Sequence, residues 1–324
     1  MIDANHGGTI MAQAHSLPHG RLGMTLALLP AERLMVGLIL AVGLAAVAVA
    51  LVMERVVNWP PFAAGIGATL AMVAIGAYVR GVKQGHRLAL GAVGVGLFMG
   101  FTAVSTLFVF ALFPLPNPLM DPALIAFDQQ LGYDWTSFVT WLANYPTFAW
   151  VLGLVYHSSL PQIVGLTVAL AALGREKDLH RFLLVGMVTL AVAVAFWWVW
   201  PSIGPSGYKT IPESDRQATG LYFDQAYGAY LLWLVEVGPP RVSPEFVTGV
   251  IAFPSYHMIM ACMVVWYSQR TFLFMPAVAI NALMLPAILS HGAHHFVDLL
   301  AGLVVFAACA WSVARMIPAR PSQT

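Results

Sequence analysis

Long apolar stretches separated by short polar segments dominate the pattern of this 324-residue chain. A helix needs about 20 predominantly apolar residues to cross the hydrocarbon core of a bilayer, and stretches near that length recur along the whole chain. The pattern predicts an all-α fold, a polytopic membrane helix bundle with about eight transmembrane helices. The predicted spans are residues 34–53, 62–79, 88–113, 146–173, 182–201, 255–268, 271–289 and 294–314.

The order of these stretches divides the chain into four parts, with no internal repeat and no soluble domain. The first apolar stretch is longer than the core of a cleaved signal, which spans about 7 to 15 residues, so we expect it to remain as an anchor. The expected parts are a cytoplasmic N-terminal tail, 1–33; accessory transmembrane helices, 34–113; a functional membrane core, 114–316; and a cytoplasmic C-terminal tail, 317–324.

Composition supports the membrane assignment. The chain is 60% hydrophobic and only 9% charged, with a mean hydropathy of +0.79, which a soluble monomer would not tolerate. Its formal charge of +1 gives no reason to expect a nucleic-acid partner. Cys262 and Cys309 both lie in apolar stretches, so we expect no disulfide framework.

The distribution of Lys and Arg predicts the orientation. With eight crossings, eleven of the 15 basic residues fall on one side, and cytoplasmic loops carry such an excess. Both termini are therefore expected in the cytoplasm, with the protein integral to the cytoplasmic (inner) membrane. The extracytoplasmic side holds Arg55, Lys209, Arg216 and Arg241.

Two histidine motifs are expected to share that extracytoplasmic side, because a helical hairpin separates them. The first motif is Phe253–His257 and the second is His294–Asp298. His294 and Asp298 are four residues apart, so on a helix they share one face. The carboxylate can then accept a hydrogen bond from the proton-bearing ring nitrogen. The other nitrogen is then free for chemistry. His295 faces elsewhere and is expected to be structural.

Three further segments carry candidate chemistry. Lys209 and Arg216 follow the turn-forming sequence Gly204–Gly207, which is typical of an anion site but equally of a solvated loop of mixed charge. The stretch 114–145 has no Lys or Arg and a helix start at Asp121–Pro122, which favours one helix lying at the interface. Tyr156–Ser159, with Pro161 and Gln162, lies within the fourth span and predicts hydrogen bonds between helices or, alternatively, a substrate pocket.

The sequence resembles the type 2 phosphatidic acid phosphatase superfamily, and within it an inositolphosphotransferase-like branch. That superfamily carries K-x6-R-P, P-S-G-H and S-R-x5-H-x3-D. Pro254-Ser255-Tyr256-His257 matches the second motif except at Tyr256, and His294 with Asp298 matches the core of the third. The resemblance implies that His294 is the nucleophile, Asp298 its orienting partner and His257 the acid for the leaving oxygen. It also implies that Ser255, with Tyr256 beside it, contacts the phosphate.

The chain departs from those motifs at the cations. Lys209 and Arg216 have the spacing of the first motif, but Gln217 replaces its proline. Ile288 stands where the third motif has arginine, and His291 is the candidate substitute as a phosphate-binding group. The resemblance covers residues 200–302.

These features together predict an enzyme that hydrolyses or transfers the phosphoryl group of a lipid or isoprenoid phosphate through a phosphohistidine. Nucleophile, acid and cations are each present as side chains, so no metal or other cofactor is expected. The expected partners are the bilayer, the lipid phosphate and, for transfer, an alcohol acceptor. Two other classes remain open: a b-type cytochrome with His257 and His294 as axial haem ligands, and a transporter with broken helices meeting at the midplane.

Overall fold

The computed structural model describes residues 28–244 and 249–317, and within them the chain forms thirteen α-helices. The expected tails fall almost wholly outside these ranges. The helices are α1 Pro30–Val52, α2 Trp59–Gly81, α3 His86–Ala111, α4 Asp121–Gln130, α5 Trp135–Ala143, α6 Pro146–His157, α7 Ser159–Ala172, α8 Glu176–Val199, α9 Glu213–Thr219, α10 Gln225–Val237, α11 Tyr256–Ser268, α12 Phe274–His291 and α13 Phe296–Met316.

Six of these helices (α1, α2, α3, α8, α12 and α13) are long and apolar enough to cross a membrane. The α6–α7 pair passes the same test as a seventh span bent by 48°. The remaining predicted span corresponds to α11, which has only 13 residues. The all-helical, membrane-protein prediction is confirmed, whereas the number of crossings and the position of the termini stay predictions.

The bend between α6 and α7 lies at the polar segment singled out in the sequence. Pro161 has no backbone N–H, so it cannot continue the hydrogen-bond ladder of α6. Just beyond it, Gln162 Oε1 accepts a hydrogen bond from Asn281 Nδ2 of α12 at 2.8 Å. The predicted hydrogen bonding between helices is thus confirmed at Gln162.

The stretch 114–145 forms two helices, so the expectation of a single interfacial helix was wrong. The helix start at Asp121 is confirmed, but α4 ends before Gly132, which has a φ of +80°. Asp134 then caps α5 by accepting the Ser137 N–H at 2.8 Å. Trp135 Nε1 donates to the Leu289 carbonyl at 3.0 Å, which fixes α5 against the end of α12, just before the second histidine motif.

A buried ion pair joins the accessory helices to the core. Glu32 of α1 is 1% exposed and accepts two hydrogen bonds from Arg80 of α2, at 2.6 and 2.7 Å. His180 of α8 lies 3.4 Å from the same carboxylate. Bidentate pairing gives the carboxylate the partners that a buried charge requires. α1 and α2 are therefore held against α8 through side chains as well as through apolar packing.

Candidate active site

The predicted pairing of His294 with Asp298 is present in the structure. His294 Nδ1 donates to Asp298 Oδ2 at 2.9 Å, and the two residues are 3% and 0% exposed. The same oxygen accepts the backbone N–H of His295 at 2.9 Å, so the carboxylate is fixed by two donors. A carboxylate on Nδ1 sets the imidazole tautomer and leaves Nε2 as the unprotonated nitrogen.

The start of α11 brings the first histidine motif to this pair. Ser255 is the N-cap of α11, and its Oγ lies 3.5 Å from His294 Nε2. Its N–H donates to the Asp298 carbonyl at 3.1 Å, which joins the two motifs through the backbone. The rings of His257 and His294 are 6.3 Å apart between centroids, close enough for one phosphoryl group to contact both.

Tyr156 is a member of this site that the motifs did not identify. Its ring stacks on His257 with centroids 4.2 Å apart, and its hydroxyl lies 3.4 Å from His257 Nδ1. The residue is 5% exposed and stands one position before the end of α6. The alternative interpretation of Tyr156–Ser159 as part of a pocket is therefore supported at Tyr156.

His295 lies in a separate network, in keeping with the structural role expected for it. Its Nδ1 is 3.1 Å from Asp128 Oδ2 and its Nε2 is 3.2 Å from Asp121 Oδ1. Burial lowers the pKa of His295, but the hydrogen bonds to Asp121 and Asp128 outweigh that effect and raise the pKa to about 10. An imidazolium between two carboxylates is the arrangement that results.

The two carboxylates of this network also bind backbone amides. Asp128 accepts the N–H groups of Phe296 and Val297 at 3.1 and 3.2 Å, which satisfies the first turn of α13. Asp121 accepts the N–H groups of Ile203 and Gly204, the latter at 2.7 Å. The sequence suggested that amides near Gly204–Gly207 would face an anion. At Ile203 and Gly204 that anion is Asp121.

Gly204 is required where this loop meets the second histidine motif. Its φ is +86°, and a Cβ at this position would lie 2.1 Å from the Ala293 carbonyl oxygen. Such an approach is possible only without a side chain. The loop that begins at Ser202 is thereby packed directly against the residue before His294.

The two candidate cations, Lys209 and Arg216, are each engaged by carboxylates. Lys209 Nζ donates to Asp134 at 3.2 Å. Arg216 donates to Glu213 at 2.8 and 2.5 Å and to Asp224 at 3.3 Å. Within residues 28–244 and 249–317, neither cation has a hydrogen bond or ion pair with His257 or His294.

The remaining candidates point away from His294. Ile288, at the position of the missing arginine, is fully buried in an apolar cluster with Met284 and Leu299. His291 Nδ1 lies 3.0 Å from Ser290 Oγ, and its ring packs against Gly153 of α6. Tyr256 donates its hydroxyl proton to the Gly186 carbonyl of α8 at 2.9 Å.

The described residues define a site built from a His–Asp pair, a second histidine and a capping serine. They contain no group of three His, Cys, Asp or Glu side chains placed to hold a metal ion. The family model of the PAP2 superfamily matches residues 122–312, more than half of the chain. The chain belongs to this superfamily, whose members are generally phosphatases. The match begins in α4, well before the 200–302 region recognised from motifs. Comparisons with curated proteins and with solved structures gave no significant match.

Proposed function

We propose that this protein is an integral membrane enzyme that removes or transfers the phosphoryl group of a lipid or isoprenoid phosphate through a phosphohistidine on His294. The observation that carries the proposal is the free Nε2 of His294, held by Asp298 on one side and 3.5 Å from Ser255 Oγ on the other. A positioned nucleophile with its orienting carboxylate is the arrangement that covalent catalysis requires.

The proposed reaction has two steps. His294 Nε2 forms a bond to phosphorus while the P–O bond to the leaving alcohol breaks, and protonated His257 gives its proton to that oxygen. Water or an acceptor alcohol then attacks phosphorus, the N–P bond breaks, and His257 takes the proton of the attacking hydroxyl. Tyr156, stacked on His257, holds the ring in one orientation throughout.

Charge on the phosphoryl oxygens is offset by donors at the start of α11. The Ser255 hydroxyl lies beside the proposed phosphorus position, and the first-turn amides of α11 carry the partial positive charge of a helix N-terminus. The proposal requires His257 to carry a proton when substrate is bound, which would add a full positive charge before the first proton transfer. Lys209 and Arg216 are proposed phosphate ligands only if substrate draws them from Asp134, Glu213 and Asp224.

The decisive experiment incubates purified protein with a panel of lipid phosphates and follows released phosphate and new lipid species together. Wild-type protein should convert at least one donor, and His294→Ala should convert none. Full activity in His294→Ala would exclude the nucleophile proposed here. A reduced-minus-oxidised absorbance spectrum of the same sample tests the b-type cytochrome directly.

The transporter alternative has one feature in its favour, the broken α6–α7 span. It predicts several broken helices meeting at the midplane. Among the described residues the bent span is single, and its last α6 turn contributes Tyr156 to the histidine site. Flux measurements in vesicles would detect transport that is independent of His294.

We further propose that the site faces the extracytoplasmic side. The charge distribution along the chain supports this orientation. Ser214 is exposed in the first turn of α9, so Ser214→Cys should react with an impermeant thiol reagent in intact cells. Labelling only after lysis would place the site in the cytoplasm.

We propose transfer to an alcohol over simple hydrolysis. The position of the expected arginine is occupied by buried Ile288, which favours a donor with less charge than a monoester dianion, such as a diester. Tyr256 stands where the second motif has glycine, and its bulk beside the phosphate would screen water and favour transfer; however, its hydroxyl is bound to the Gly186 carbonyl of α8. Labelled donor with and without candidate alcohols should give a new phospho-alcohol; phosphate as sole product would identify a phosphatase.

A further inference from the structure

An apolar cavity of about 260 Å³ lies beside His257, between α3, α7, α8 and α11. Its volume approaches the lower end of small-molecule sites, about 300–1,000 Å³. His257 and Tyr256 line one end of it. The cavity is therefore continuous with the proposed catalytic site, on the side of the acid.

One face of α3 forms a wall of this cavity. The lining residues of α3 are Phe98, Phe101, Thr102, Ser105, Thr106, Val109 and Phe110, which recur with the three- and four-residue spacing of a single helical face. α3 belongs to the accessory helices, outside the region matched by the superfamily. This wall is thus contributed by a part of the chain that the family assignment does not explain.

The opposite wall is apolar, and the cavity extends to the outer surface of the bundle. Phe182 and Met187 of α8 and Met263 of α11 supply hydrocarbon and thioether surface. At the edge of the cavity, Thr102 and Leu160 are exposed, the latter by 55%. In a membrane this edge faces hydrocarbon, so a lipid chain can enter from the side without crossing water.

From this geometry we propose that the cavity holds the hydrocarbon chain of the leaving alcohol, and that α3 selects substrates by that chain. The proposal rests on the function proposed above. If His257 protonates the leaving oxygen, the group attached to that oxygen must lie on the His257 side of phosphorus. That side opens into the cavity, so the leaving group is the lipid alcohol and the phosphoryl group stays on His294.

Two sources of hydrocarbon fit this chemistry, an acyl chain and an isoprenoid chain. The test compares kcat/KM for long and short donors in each class: dioleoyl against dihexanoyl phosphatidic acid, and geranylgeranyl against dimethylallyl phosphate. Thr106→Trp places an indole in the cavity. Met99→Trp is the matched control, because Met99 lies on the same helix outside the lining face and is 37% exposed.

Thr106→Trp should lower the long-to-short ratio at least about tenfold in the class that occupies the cavity, because displaced methylenes lose their burial. Met99→Trp should leave the ratio unchanged. A ratio unaffected in both classes would overturn the proposal. Leu190→Trp, which fills the same cavity from α8, provides the second variant if Thr106→Trp fails to fold.

A binding experiment separates this proposal from the catalytic one. His294→Ala protein is irradiated with phosphatidic acid, or with a polyprenyl phosphate, carrying a diazirine in its chain. Crosslinks concentrated on α3 and α8 peptides, and reduced by Thr106→Trp, would support the cavity even without turnover. Crosslinks spread evenly over the lipid-facing helices would refute it. Absence of turnover in wild-type protein, by contrast, would refute only the proposed enzymatic activity.

Discussion

His294 and His295 are neighbours in the chain, equally buried, and each bonded to carboxylate, yet their surroundings give them opposite capacities. His294 meets one carboxylate on one nitrogen and keeps the other nitrogen available beside Ser255. His295 meets a carboxylate on each nitrogen. The first arrangement leaves one nitrogen for the nucleophilic role proposed for His294, whereas the second engages both nitrogens of His295.

The number of carboxylate partners therefore decides which of the two histidines keeps a ring nitrogen for the proposed chemistry. The two networks also depend on each other, because Asp298 accepts both the His294 ring N–H and the His295 backbone N–H. His295 in turn connects α4 to the start of α13 through Asp128. The His295 network therefore helps to position Asp298 and, through it, His294.

The largest expected effect is the loss of turnover when His294 is replaced. His294→Ala should lower turnover at least about 10⁴-fold and abolish the acid-labile phosphoenzyme, because the proposed covalent bond to phosphorus forms at His294 Nε2. Released phosphate and trapped phosphoprotein measure this loss. A thermal unfolding curve shows whether the variant, which loses the ring partner of buried Asp298, is still folded. Recovery of a phosphohistidine in the variant would disprove the assignment.

Asp298→Asn should cause the second-largest loss of turnover. An amide still accepts the His295 N–H but no longer stabilises the positive charge on His294 or fixes its tautomer, so we expect a folded enzyme slowed about 10³- to 10⁴-fold. The measurement is kcat alongside a thermal unfolding curve. Near-normal kcat would show that Asp298 stabilises the start of α13 and has no role in orienting His294.

His295→Gln should lower the stability of the protein more than its catalytic activity. Removing the imidazolium leaves Asp121 and Asp128 as buried charges without their shared cation, which costs about 3–5 kcal/mol for a broken buried pair. Denaturant unfolding in detergent measures the change. At a temperature where the variant is folded, phosphoenzyme formation should persist. A stable His295→Gln protein that cannot form phosphoenzyme would make His295 catalytic and remove the contrast between the two histidines.

The pH dependence sharpens the same contrast. The pKa of His295 is raised from 6.5 to about 10 in the folded protein, so its stabilising effect is complete below pH 6.5 and is lost as pH rises through about 10. Wild-type protein should therefore lose stability between these values, and His295→Gln should lose less. Parallel stability profiles of the two proteins from pH 6 to pH 10 would contradict the charged state assigned to His295.

Sequence patterns were sufficient for the parts of the molecule that depend on local spacing. Apolar lengths predicted the helices, and the i,i+4 rule predicted the bond between His294 and Asp298. Asp121, Asp128 and Tyr156 were not identified as partners of the histidines, because no local rule links residues more than 100 positions apart in the chain. The turn before Lys209 suggested a phosphate site, which stays a prediction; in the folded chain the Ile203 and Gly204 amides there bind Asp121, a partner that no local pattern indicated.

The smallest expected effects concern the two cations of the incomplete first motif. Lys209 and Arg216 are partly exposed and paired with carboxylates, and water screens such pairs, so each contributes little. We therefore expect Lys209→Gln and Arg216→Gln each to change kcat/KM by less than about fivefold, with Arg216→Gln the smaller because Glu213 and Asp224 both hold it. The measurement uses the best lipid donor at low and high salt.

A loss above about 100-fold in either variant, with normal stability, would show that the cation leaves its carboxylates when substrate binds. In that case Lys209→Gln and Asp134→Asn should have opposite effects on KM, because removing Asp134 frees the lysine for phosphate. Equal and small effects would instead assign both cations to the loop between α8 and α11. The charge that stabilises the phosphoryl group would then come from His257 and the start of α11, the elements that the rigid His295 network holds in place.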